Sequence, residues 1–64
     1  MEERGKIKFI DLAKGYGFIR HEPTDLDVLF RLEELAEKFY EGQDVIFEIQ
    51  ETDRGLRAVN LRKP

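Results

Sequence analysis

Tyr16 and Phe18 stand two residues apart in the run Lys14-Gly15-Tyr16-Gly17-Phe18-Ile19. On an extended strand that spacing sends both rings out of the same face. Glycines at 15 and 17 put no neighbouring side chain over either ring, Lys14 frames the run at one end, and Arg20 follows at the other. Flat rings framed by cations suit unpaired nucleic-acid bases, because every base has a π-face and a phosphate nearby. The competing reading makes Tyr16 and Phe18 ordinary core aromatics of a small β-protein.

Catalysis has little to draw on. The chain holds no serine and no cysteine, so the two commonest nucleophiles are missing. His21 is the sole histidine, which rules out a His-rich metal cluster; at a strand end it reads as a surface residue. Gly15 and Gly17 form a G-x-G without the third glycine or the following helix that a phosphate cradle needs. Glu2-Glu3 and Glu33-Glu34 read as solvated charge. No enzyme activity, metal, cofactor or small-molecule substrate is expected.

The elements that must position the rings come from a short chain. Sixty-four residues are expected to form one domain, 1–64, and a chain of this size buries only about 60% of its unfolded surface. Without cysteine no disulfide framework is available, so Val, Ile, Leu and Phe on paired strands must supply the core. No run of about 18 apolar residues is present to span a membrane. The charged start, Met1-Glu2-Glu3-Arg4, leads straight into a strand pattern and does not read as a signal peptide. A cytoplasmic monomer is expected.

Net charge is -3, yet it is unevenly placed. Residues 1–20 carry five cations against three acids, residues 21–53 two cations against eleven acids, and residues 54–64 four cations and no acid. If the first two strands and the last lie near one another, a basic face coexists with an acidic protein.

Alternation predicts strands over roughly 6–11, 16–21, 27–31, 44–51 and 56–62. Glu22-Pro23-Thr24-Asp25 and Thr52-Asp53-Arg54-Gly55 read as turns. Leu32, Leu35, Ala36 and Phe39 follow a helical i, i+3, i+4, i+7 pattern before Gly42, which predicts a short helical cap of about two turns. An irregular loop competes, since no capping residue precedes it. Inward positions are expected at Val28, Phe30, Val45, Phe47 and Ile49, and Val59 and Leu61 are expected to share one face. Five short strands with one longer third-to-fourth connection predict an all-β, five-stranded barrel.

If strands one and two form a hairpin, Tyr16, Phe18 and Arg20 adjoin Lys8 and Phe9. With Val28 and Phe30 inside, Leu29 and Arg31 extend the same exposed face. Three stacked bases are worth about 3–9 kcal/mol gross, which suits micromolar binding with slight sequence selectivity.

These residues resemble the cold-shock domain, as found in bacterial cold-shock proteins, over Gly5 to Lys63. Lys14 to Ile19 is similar to that family's first ribonucleoprotein motif almost letter for letter. Asp27 to Leu32 falls where the second belongs. Gly5-Lys6-Ile7-Lys8, Glu41-Gly42-Gln43, Val45-Ile46-Phe47-Glu48 and Gly55 to Leu61 resemble its first, fourth and closing strands. The resemblance implies an antiparallel OB-type Greek-key barrel that binds single-stranded RNA or DNA as an RNA chaperone. Added to the reading of the residues, it gives an expected nucleic-acid site of Lys8, Phe9, Lys14, Tyr16, Phe18, Arg20, Leu29 and Arg31. This chain departs from the family at Phe9, usually tryptophan, and at Leu29 and Arg31, usually an aromatic and a histidine. Weaker and more electrostatic binding follows. The resemblance puts Phe9 on the binding surface, whereas plain alternation puts it on the core face with Ile7; a strongly bent strand reconciles the two. The RNA-recognition-motif domain shares a related motif but needs two packed helices. The alternative reading is an OB barrel whose surface has turned to protein interaction or a structural role.

Overall fold

Alternation of apolar and polar residues produces five strands: β1 (Glu3–Asp11), β2 (Tyr16–His21), β3 (Asp27–Arg31), β4 (Asp44–Thr52) and β5 (Gly55–Arg62). They are seen in a computed structural model that describes residues 1–64. The strands close into a barrel in the order β1-β2-β3-β5-β4. β4 returns to pair with β1 from Glu3↔Phe47 to Lys6↔Asp44. β3 and β5 run parallel where Leu29 meets Arg57, and the other pairings are antiparallel. This is the expected five-stranded OB-type barrel. Closure pairs each strand with a neighbour on both sides over part of its length and so leaves little open sheet edge.

Every strand sends side chains inward. Ile7, Ile19, Val28, Phe30, Val45, Phe47, Ala58 and Leu61 form the core, with Phe39 from the β3–β4 connection. In β5 Ala58 and Leu61 face inward while Val59 does not, so Val59 and Leu61 do not share the face expected of them. The reason is a bulge. Register passes from Glu48↔Val59 to Ile46↔Arg62, and Asn60 takes the left-handed conformation with φ 55°. One extra residue shifts the inward phase, and asparagine tolerates that φ better than most residues.

Gly17 owes its identity to the barrel interior. It is buried, and a Cβ there would lie 2.5 Å from the Phe9 carbonyl oxygen and 2.6 Å from Phe30 Cζ. The missing side chain is the space that Phe30 fills. Gly17 therefore packs the core beneath the rings, a role beyond leaving them uncovered.

His21 is buried, contrary to the surface position expected of it. Its Nδ1 lies 2.7 Å from Thr24 Oγ1 and its Nε2 2.7 Å from Glu3 Oε1. The ring also meets Phe47 edge to face. As the inward member of the β2 alternation, it ties the β2–β3 turn to the start of β1.

The helical cap is shorter than the expected two turns. Only Leu32–Glu34 form a 3-10 turn, with no side-chain cap, and Leu35 is already extended. The remainder is needed elsewhere. The Glu41 carboxylate accepts the Ile10 N–H. Gly42 donates to the Ile7 carbonyl, and Ile7 donates to the Gln43 carbonyl. Beyond Lys6 the edge of β1 has no β4 partner, so the connection must satisfy it. A two-turn helix would leave those groups bare.

Two stability predictions follow. Gly17→Ala should destabilise the barrel by about 1–3 kcal/mol through overpacking. His21→Ala should cost a further comparable amount, about 1–3 kcal/mol, by orphaning its partners. Urea unfolding of each variant checks both, and an unchanged midpoint for either contradicts the packing described.

Candidate nucleic-acid interface

A second bulge builds the candidate surface. β1 pairs Ile7 with Ile19 and then Phe9 with Phe18, so Lys8 is the extra residue. Without the bulge, Ile7 and Phe9 would share a face. With it, Ile7 is buried at 1% exposure and Phe9 stands out at 42%. The conflict between alternation and family resemblance is resolved by this one residue.

β1, β2 and β3 then lay their outward residues in three cross-strand rows. Phe9, Phe18 and Leu29 form the middle row. Asp11, Tyr16 and Arg31 form the row on one side, and Lys6, Arg20 and Asp27 the row on the other. Tyr16 and Phe18 are half-buried and lie outside the core cluster. All eight residues expected at the site therefore belong to one continuous region: Phe9, Tyr16, Phe18, Arg20, Leu29 and Arg31 in the rows, Lys8 at the bulge, and Lys14 in the β1–β2 turn.

The rings support one another edge to face. Tyr16 and Phe18 have centroids 5.7 Å apart at 88°, and Phe9 and Tyr16 are 6.5 Å apart at 63°. Such contacts are favourable in their own right. They also mean that bases lying on neighbouring rings cannot be coplanar. The surface fits splayed, unpaired bases and not a stacked duplex.

Electrostatics differ from a bare cationic patch. Lys8 Nζ lies 3.0 Å from Asp27 Oδ2, Arg20 Nε 3.4 Å from Asp25 Oδ1, and Arg31 Nε 3.0 Å from Glu33 Oε1. Lys14 has no such ion pair, and its backbone N–H donates to Asp11 Oδ1. β5 lies between β3 and β4, away from β1 and β2. Arg62 and Lys63 pair with Glu2 and Glu37 rather than joining the aromatic rows. Arg57 is the residue that sequence reasoning missed. It sits beside Leu29 at the β3 edge and reaches Glu34 at 2.9 Å, while its Nε is buried without a partner. Only the parallel β3–β5 pairing brings it there, and no local pattern signals that.

Residues 3–64 match the family described as the 'Cold-shock' DNA-binding domain. The chain belongs to this family. The cold shock-like protein of Aquifex aeolicus is 36% identical over 66 residues, covering 97% of this chain and 94% of that protein. Cold shock protein CspB of Geobacillus stearothermophilus is 42% identical over 64 residues, covering 95% and 97%. The cold shock-like protein of Thermotoga maritima is 42% identical over 62 residues, covering 92% and 94%. Among solved structures, Drosophila Unr CSD456 superposes with a TM-score of 0.83 at 19% identity, over 100% of this chain and 27% of that one; this likeness shows the fold. With the family and its aromatic surface both in place, the chain is a nucleic-acid-binding barrel of the RNA-chaperone type. No helix is long and apolar enough to cross a membrane.

Phe9 offers a direct probe of the surface. Phe9→Trp should be accommodated, because the ring already faces solvent, and its larger face should tighten binding of a short oligothymidine a few-fold. Indole emission should be quenched as a base stacks on it. Unaltered emission at saturating ligand would place the bases elsewhere.

Proposed function

We propose that the outward surface of β1–β3 binds single-stranded RNA or DNA by stacking bases on Phe9, Phe18 and Tyr16. Leu29 gives an aliphatic contact in the same row. Lys8, Lys14, Arg20 and Arg31 meet phosphate, and Arg31 also lies flat on a base where an aromatic is absent. The protein acts by occupying exposed bases and so holding strands unpaired, without chemistry and without a cofactor, as a cytoplasmic chaperone of RNA. Sequence selectivity is slight, because stacking does not read base edges.

The observation that carries this reading is the middle row itself. Phe9 and Phe18 are brought into register by a bulge, although plain alternation would have hidden one of them. Exposed rings of this size cost solubility and are seldom gathered without a ligand. Tyr16 completes the cluster, and its inclination to Phe18 favours unpaired bases.

Titration with an oligothymidine of about six to eight nucleotides, a length within the usual reach of one OB barrel, tests the proposal. Tyrosine emission or calorimetry reports binding. Phe18→Ala should weaken it by about 1–3 kcal/mol, with the folded midpoint little changed because the ring lies outside the core. Equal affinity of Phe18→Ala and the parent protein would remove the surface from the function.

A further inference from the structure

The cations beside the aromatic rows are not free. Lys8 of β1 reaches over β2 to Asp27 of β3 at 3.0 Å, beside the middle row. Arg20 meets Asp25 at 3.4 Å and Arg31 meets Glu33 at 3.0 Å. Each of these acids occupies the position that a phosphate oxygen would take beside its cation. All six side chains are substantially solvent-exposed, so the pairs are loose enough to open. The charges of three phosphate-binding groups are thus already answered by the protein.

We propose that Asp25, Asp27 and Glu33 act as built-in competitors for phosphate and set the affinity of the nucleic-acid surface. The proposal rests on the reading of that surface given above. A nucleic-acid strand must open three ion pairs to gain three phosphate contacts, and the displaced carboxylates then stand close to the phosphates they yielded to. Only Lys14 offers a cation without such a competitor. Binding then depends on base stacking more than on phosphate, the reverse of the more electrostatic binding expected from the sequence, and favours strands with accessible bases over duplexes rich in phosphate alone. Asp25 and Asp27 flank the start of β3 and Glu33 lies in the 3-10 turn that follows it, so the three acids bracket one strand.

The effect is readable in salt dependence. Each phosphate neutralised on a single strand contributes a slope of about -0.7 in log affinity against log salt. A surface whose cations are pre-paired gains less from counterion release than its cation count suggests.

The test compares two triple variants by titration with oligothymidine. Asp25→Asn/Asp27→Asn/Glu33→Gln frees the surface cations; asparagine also suits the left-handed φ of 59° at position 25. Glu2→Gln/Glu37→Gln/Glu48→Gln changes the net charge equally, and frees Arg62, Lys63 and the amino terminus, which lie outside the rows. Exposed ion pairs are worth roughly 1.4- to five-fold each. The first variant should therefore bind about three-fold tighter or more at low salt, with a slope steeper by up to about 2. The second should change affinity by no more than about two-fold, the weight of distant screened charge. Equal tightening by both variants, or none by the first, overturns the proposal. Phe18→Ala placed in the parent and in the first variant separates the two ideas. A loss in both upholds the aromatic surface whatever the acids do. No loss in either removes the surface and the competition with it.

Discussion

One inserted residue governs this surface. Lys8, unpaired in the ladder between β1 and β2, rotates β1 by half a strand period. Before it, Ile7 belongs to the core; after it, Phe9 belongs to the outside. The same strand thus closes the barrel and carries the first ring of the candidate interface. Gly17 is the counterpart on β2. It lets Phe30 fill the interior directly under the point where Phe9 and Phe18 pair. Core and interface are two sides of one thin sheet: Gly17 and Phe30 support from within the rings that stand outside the core.

A barrel this small has few reserves. Its core is nine buried side chains, with no disulfide to restrain the unfolded chain. Polar groups are correspondingly well used. His21 bridges two segments from inside, and residues 41–43 complete the hydrogen bonding of β1 where β4 does not reach. The long β3–β4 connection is therefore a working edge of the barrel. Ion pairs join cations of both chain ends to acids of the middle, so the acidic middle of the chain sits against the basic ends instead of segregating from them.

Much of the architecture was legible before the structure. Alternation placed β2 and β3 at their observed limits and β4 within a residue, because turns rich in proline, aspartate and glycine bound them. The outward set on β2 and β3 followed directly from period two. What escaped was whatever breaks that period. The bulges at Lys8 and Asn60 change which residues face inward, and no residue type at those points announces them; the place of Phe9 came from family resemblance. His21 looked like a surface residue because its partners, Glu3 and Thr24, are distant or in a turn. The apparent helix over 32–41 reflects spacing that serves another purpose: Phe39 joins the core while residues 41–43 turn to hydrogen-bond with β1. Arg57 gives no local signal because only the parallel β3–β5 pairing brings it beside Leu29. Ion pairing at the interface needed three-dimensional placement, since Lys8 and Asp27 lie on strands that are not neighbours.

The central claim is that three rings, held at inclined angles on the outside of a closed barrel, each take a separate unpaired base. Intermolecular NOE contacts in the complex with a short oligothymidine test this most directly. The account predicts contacts from the ring protons of Phe9, Tyr16 and Phe18 to the base protons of different thymidines. Base contacts confined to other parts of the barrel, with these three rings silent, would contradict it.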